Sequence, residues 1–183
     1  PMNAVIGMTH LALKTDLTPK QQDYLTKIQS SSNALLGVIN DILDFSKIEA
    51  GKLDLEYVPF HIYDVMDRLS DMFSGQAAEK GIEIVISVAD DVPRTLIGDP
   101  LRLGQILTNL ANNAVKFTDE GEVFIKVEVI RPCGENPSEG GHPAALLRFS
   151  VRDSGVGISQ SYLPQLFTAF SQADGSTTRK YGG

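Results

Sequence analysis

Apolar and polar positions recur with a helical period as far as about residue 51 and with a mixed period beyond it. Met2, Val5, Ile6, Met8, Leu11 and Leu13 read as the tail of an apolar helix, and Lys14 to Leu17 as a short turn. Thr18-Pro19-Lys20-Gln21 then supplies an N-cap, a proline at N1 and a glutamine at N3, the pattern of a capping box. The helix after it runs to about Ala50, with Gly51 as its stop. Along it Leu25, Ile28, Ser32, Leu35, Ile39, Ile42 and Ser46 form a heptad-like seam, and Leu36, Val38, Leu43 and Phe45 add apolar surface beside it.

Past Gly51 the pattern shortens. Leu53 to Phe60 alternates as a strand, and Ile62 to Lys80 reads as a helix with Val65, Met66, Leu69, Met72, Phe73 and Ala77 inward. Ile82 to Val88 is a β-branched strand, and Asp90 to Gly98 a loop carrying Pro93. Asp99 to Thr118 is a helix with Asp99 at the N-cap, Pro100 at N1, and an apolar stripe of Leu103, Ile106, Leu107, Leu110, Ala114 and Phe117. A turn at Asp119-Glu120-Gly121 leads to a strand from Glu122 to Val129, a Gly/Pro/Glu-rich loop from Arg131 to Pro143, and a strand from Ala145 to Arg152. Ser161 to Phe170 holds one or two helical turns, and residues 171–183 are polar.

These elements predict an α+β chain: a helical hairpin over residues 1–51, then residues 52–183 as an α/β sandwich of order β-α-β-α-β-β, its helices covering one face of a mixed sheet. The hairpin carries more apolar surface than two helices can bury. A second copy completing a four-helix bundle is the economical solution, and docking on the chain's own globular part is the other.

Composition narrows the functions. Hydrophobic residues make up 42% of the 183, enough for a packed core, and the formal net charge of −7 argues against a nucleic-acid partner. No apolar run approaches the ~20 residues that cross a bilayer, and nothing resembles a signal peptide. Cys133 is the single cysteine, and His10, His61 and His142 are far apart, so neither a disulfide framework nor a protein zinc site is expected. With no initiator methionine and an end inside a loop-like run, the sequence reads as part of a longer protein.

Candidate chemistry gathers on the Asp99–Thr118 helix and just after the last strand. Asn109, Asn113 and Lys116 stand at i, i+4 and i+7, one row beside the apolar stripe. Asparagine is a mediocre helix former, so this row is either an ordinary solvated face or a platform for something anionic or a hydrated cation. Asp153 ends a hydrophobic strand and opens the glycine-spaced turn Asp153-Ser154-Gly155-Val156-Gly157-Ile158. A carboxylate there can accept from an exocyclic amine while glycines let backbone approach a ring or a phosphate, though such turns also simply end strands. An amide oxygen suits Mg²⁺, and Lys116 can neutralise phosphate, so a magnesium nucleotide would use all of these parts.

Six stretches in register carry a family likeness. Asn109 to Thr118 resembles the N box of sensor histidine kinases, Asp153 to Ile158 their G1 box, Leu166 to Phe170 their F box, and Tyr181-Gly182-Gly183 the opening of their G2 box. Asp44 to Gly51 and Gly98 to Leu107 also resemble the family, the first especially its hybrid members. The resemblance implies a two-component kinase core. Residues 1–51 would dimerise and carry phosphotransfer. Residues 52–183 would be a catalytic ATP-binding domain of the gyrase, chaperone, kinase and mismatch-repair superfamily.

By the same resemblance Asn113 ligates Mg²⁺ with Asn109 in support, Lys116 touches phosphate, and Asp153 holds the adenine amine. Gly155, Gly157 and Ile158 shape the adenine pocket, and Phe167 and Phe170 anchor a lid. Arg179, Lys180, Tyr181, Gly182 and Gly183 lie near the phosphates. Pro1 to Met8 resembles the segment after the H box, so the phosphoaccepting histidine falls a few residues before Pro1. His10 is not that residue, and none of the 183 is the phosphoacceptor. With the G2 box cut short as well, these residues alone are expected not to phosphorylate themselves. The implied cofactors are ATP and Mg²⁺. The implied partners are a second copy through residues 1–50 and a response-regulator receiver domain, and the implied location is cytoplasmic, with any membrane anchor outside these residues. A superfamily ATPase without histidine transfer and a non-catalytic dimerisation module are the rival readings.

Overall fold

The computed structural model describes residues 1–131 and 145–166. The chain divides into two compact units, Pro1–Leu55 and Glu56–Gly183.

The first unit is the expected helical hairpin, α1 (Met2–Ala12) and α2 (Pro19–Glu49), packed on each other. The capping box forms as the sequence predicts. The Thr18 hydroxyl accepts from the Gln21 backbone N–H, and the Gln21 side chain accepts from the Thr18 N–H at 2.9 Å. At the far end the Gly51 N–H donates to the Ile48 carbonyl and the Lys52 N–H to the Lys47 carbonyl, the paired bonds of a Schellman stop. Of the predicted seam, Ser32 is buried and Leu25 half-buried, while Ile28, Leu35, Ile39 and Ile42 are exposed. Leu43, Phe45 and Ile48 extend that apolar surface toward the end of the helix.

Among its described residues the second unit contains α3 (Ile62–Lys80) and α4 (Pro100–Phe117) with two small sheets. β1 (Val58–His61) pairs antiparallel with β3 (Thr95–Gly98). β2 (Glu83–Val88), β4 (Glu122–Arg131) and β5 (Leu146–Asp153) form a mixed sheet in the order β2-β4-β5, parallel and then antiparallel. One face of that sheet makes the core. Val123, Ile125 and Val127 of β4 are buried, with Ile84, Ile86 and Val88 beside them on β2 and Val151, Phe149 and Leu147 on β5. They meet Val65, Met66, Leu69, Phe73 and Ala77 of α3 and Leu107, Ala111, Ala114 and Val115 of α4. The opposite face carries charge, with Glu128 paired to both Lys126 and Arg148.

Several expectations shift. The strand foreseen from Leu53 to Phe60 contracts to β1, where Pro59, lacking an N–H, is tolerated because among the described residues β1 has a sheet neighbour on one side only, β3. The loop foreseen over 90–98 holds β3, which alternates in burial but not in sequence, because the apolar Ile97 lies on its exposed face. Met72 is 52% exposed, at the edge of the α3 stripe. On α4 the buried stripe is rotated toward Ala111 and Val115, which leaves Ile106 58% and Leu110 45% exposed. The small Ala111 and Ala114 let the helix lie close to its neighbours, which a tally of large apolar residues misses. Of the helical turns foreseen over 161–170, the described residues hold the 3-10 turn Leu163–Gln165, and residues 167–170 lie outside them. Among the described residues no helix is long and apolar enough to cross a membrane.

The contrast between adjacent α3 residues is testable by urea unfolding of the α/β unit. Phe73, fully buried, loses about 3–5 kcal/mol on truncation to alanine. Met72→Ala is expected to stay within about 0.5 kcal/mol of the parent chain.

Candidate nucleotide site at the end of the asparagine helix

α4 begins at Asp99 and is fixed there by two bonds. Asp99 Oδ1 accepts from the Arg102 N–H at 3.0 Å, capping the helix, and Oδ2 accepts from the Glu56 N–H at 3.3 Å. The Arg102 N–H, chiefly, holds this carboxyl below its ordinary value of 3.8, against a smaller opposing effect of desolvation and with help from the Glu56 and Leu101 N–H groups and the Arg102 charge.

α4 ends without the left-handed glycine that closes so many helices. Thr118 follows in extended conformation, φ −100° and ψ 117°, so the last carbonyls need outside donors. The Thr118 hydroxyl donates to the Ala114 carbonyl at 2.7 Å. The Lys80 ammonium, from the last turn of α3, donates to the carbonyls of Val115 at 2.7 Å, Lys116 at 3.0 Å and Thr118 at 3.2 Å. The Val156 N–H donates to the Phe117 carbonyl at 3.3 Å.

That last bond joins the predicted glycine turn to the asparagine helix. Asp153 pairs with Val123 in register, so it lies on the sheet face that carries the helices, at the strand end beside α4. Asp153 Oδ1 accepts from the Gly155 N–H at 3.0 Å, and the rest of the exposed carboxylate keeps acceptor capacity for a ligand. A Cβ on residue 155 would overlap the Phe117 carbonyl oxygen and stand 2.8 Å from its carbon, so only glycine allows this approach. Gly157 has φ +68°, a left-handed conformation that exposes Val156 and Ile158 on the surface of the turn.

Ser154, given no role by the sequence, clamps the turn from the other side. Its hydroxyl accepts from the Glu122 N–H at 2.9 Å and donates to the Glu120 carbonyl at 3.1 Å, while its own N–H donates to the Glu122 carbonyl. The signal that could have found it is the Asp119-Glu120-Gly121 turn, where a side chain at 121 would run into the Ser154 side chain.

Asn109 and Asn113 are exposed, away from the buried stripe, and Lys116 is half-buried with its ammonium 5.3 Å from the Phe117 ring centre. At 1.5 Å per residue the row extends from Lys116 back to Asn109 over about 10 Å of helix, starting beside the Asp153 turn. Phe167, Phe170, Arg179, Lys180, Tyr181, Gly182 and Gly183 lie outside the described residues, as do Cys133 and His142. Among the described residues no three His, Cys, Asp or Glu side chains cluster as metal ligands. A divalent cation here would rest on Asn oxygens, phosphate and water, a donor set suited to Mg²⁺.

Residues 98–183 match the family model described as Histidine kinase-, DNA gyrase B-, and HSP90-like ATPase, and residues 1–51 match the His Kinase A (phospho-acceptor) domain. The signal transduction histidine-protein kinase BarA of Escherichia coli (strain K12) is 45% identical over all 183 residues, and the sensor histidine kinase GacS of Pseudomonas protegens 48%. The chain spans 19% of the length of each of these two relatives. A crystal structure of full-length ShkA in complex with AMPPNP superposes with a TM-score of 0.71 at 36% identity, covering 97% of this chain and 36% of that one.

Two outcomes follow from the fixed ends of α4. Gly155→Ala must displace either the Phe117 carbonyl or the turn, and is expected to cost about 1–3 kcal/mol in chemical denaturation. The Asp99 carboxyl has a folded-state pKa below its unfolded one, so its stabilisation is present at neutral pH and lost as pH falls through the folded value. The melting-temperature gap between the chain and Asp99→Ala should therefore be full at pH 7 and shrink as the pH is taken below about 4.

Proposed function

The chain belongs to the sensor histidine kinases, and from that premise we propose that it is the dimerising and ATP-binding core of such a kinase, of the ATP-dependent protein-histidine kinase type. The observation that carries the reading is the contact between Gly155 and the Phe117 carbonyl. It joins an adenine-reading carboxylate to the end of a helix whose exposed row has the chemistry of phosphate and Mg²⁺ binding.

In this reading Asp153 accepts a hydrogen bond from the adenine amine, and the backbone of Gly155 to Gly157, with Ile158, forms the edge against which the ring lies. Asn113 and Asn109 turn amide oxygens toward Mg²⁺ and phosphate, and Lys116 offsets phosphate charge. Mg²⁺, when bound, would neutralise charge on the phosphates during transfer. Phe170 and the run Arg179, Lys180, Tyr181, Gly182 and Gly183 would complete the phosphate end. ATP is the substrate. An imidazole nitrogen of a histidine N-terminal to Pro1 forms the new N–P bond to the γ-phosphorus as the bond to ADP breaks, and the phosphoryl group passes on to an aspartate of a response-regulator receiver domain. Residues 1–183 alone would therefore bind nucleotide without phosphorylating themselves.

Residues 1–51 would supply the dimer and the receiver-docking face, and residues 52–183 the nucleotide domain. The exposed Ile28, Leu35, Ile39 and Ile42 of α2 support pairing with a second copy, since they form one apolar face that α1 leaves uncovered. A cytoplasmic location, with any anchor outside these residues, accords with this chemistry.

Titration with a fluorescent ATP analogue tests the nucleotide reading. Binding should require Mg²⁺, and Asp153→Ala should weaken it by about tenfold or more, the scale of a hydrogen bond to a charged group. Asn113→Ala should weaken binding in Mg²⁺ and matter little in its absence. No binding, either by this chain or by a form extended past Gly183, would overturn the reading in favour of a dimerisation module.

A further inference from the structure

Lys80 lies in neither the asparagine row nor the glycine turn, yet its ammonium meets three backbone carbonyls at the end of α4. An ammonium has three protons, and here there is one acceptor for each. It also places positive charge at the negative end of the helix dipole. Together with the Thr118 hydroxyl and the Val156 N–H, it gives every carbonyl from Ala114 to Thr118 a partner from outside the regular helix.

Two of these restraints govern where α4 stops relative to the glycine turn. Val156 ties the turn to Phe117, and Lys80 ties the carbonyls on either side of Phe117 to α3. Without Lys80 the carbonyls of Val115, Lys116 and Thr118 would lose their bonds to α3, while the 3.3 Å bond from Val156 comes from the very turn whose position the end of α4 is meant to define.

We infer that Lys80 is a positioning residue for the nucleotide site: its ammonium fixes the end of α4 against α3 and so sets the separation between Asp153 and the row of Asn109, Asn113 and Lys116. The inference rests on the reading of this site as one for a nucleotide. Lys80 touches no ligand in this scheme. It acts through the backbone of the residues that do.

The test compares two ligands that read different lengths of the site. Adenosine engages the Asp153 end alone, whereas Mg-ATP needs both ends in register. Each is measured by displacement of a fluorescent ATP analogue, at a temperature where circular dichroism shows every variant folded. Lys80→Met should weaken Mg-ATP by about tenfold, as expected for a misplaced set of contacts, and adenosine far less. Lys80→Arg keeps the charge and several donors, and should recover most of the difference. Should Lys80→Met fail to fold, Lys80→Gln, which retains an amide donor, makes the same comparison.

Equal weakening of both ligands, or of neither, overturns the inference and leaves Lys80 a stabilising residue only. The two failures are separable. Absence of Mg-ATP binding both in the parent chain and in a form extended past Gly183 overturns the reading of the site, whereas binding with an unchanged adenosine-to-ATP ratio in the Lys80 variants overturns the role of Lys80 alone.

Discussion

A helix must do something with its last four carbonyls, and in this chain the answer organises the site. α4 runs into an extended threonine, so no glycine turns the chain back to satisfy them. Donors come instead from α3, from Thr118 itself and from the turn after β5. Each donor binds a different element to the same few residues. The turn that carries Asp153 is thus part of the closure of the helix, and moving it would break the bond from the Val156 N–H to the Phe117 carbonyl. Gly155 is the steric counterpart, since the approach leaves no room for a side chain.

The other end of α4 is held as firmly. Asp99 caps the helix with one carboxylate oxygen and takes the Glu56 N–H with the other. With both ends fixed and the buried stripe set into α3 and the sheet, the helix can neither slide nor rotate easily, and the direction of its exposed row is settled by packing on the opposite side. This is how a scaffold holds binding groups to the tolerance that recognition requires. Small residues contribute as much as large ones: Ala111 and Ala114 are buried, while the bulkier Ile106 and Leu110 stay at the surface beside the asparagines.

Much of this was legible from residues whose signals are local. The Thr18 capping box, the limits of α3 and the Asp99 cap all depend on a few neighbouring positions with a fixed chemistry. What escaped depends on contacts between distant parts of the chain. β3 becomes a strand only through β1, whose paired residues lie from 34 (His61 with Thr95) to 40 (Val58 with Gly98) positions earlier, and the depth of the α4 stripe is decided by how closely α3 and the sheet approach. For the site, the sequence offered Asn109, Asn113, Lys116 and Asp153 by type and spacing, and the structure adds the link between their elements through Phe117, Gly155 and Val156. Ser154 and Lys80 were silent because a serine in a turn and a lysine at a helix end are ordinary until their partners, thirty-odd residues away, are known.

The two units also differ in what sustains them. The α/β unit has a continuous core from α3 through α4 to the sheet, enough to fold around its own site. The hairpin buries Thr9 and Ser32 and leaves the apolar face of α2 in water, and two helices with so little shielded surface gain little from each other. Its stability is then tied to whatever covers that face, by mass action if the cover is a second copy. In the proposed kinase this division has a consequence. The nucleotide domain can hold its ligand geometry constant while the hairpin, whose packing depends on association, is the element whose arrangement a signal can shift at low energetic cost.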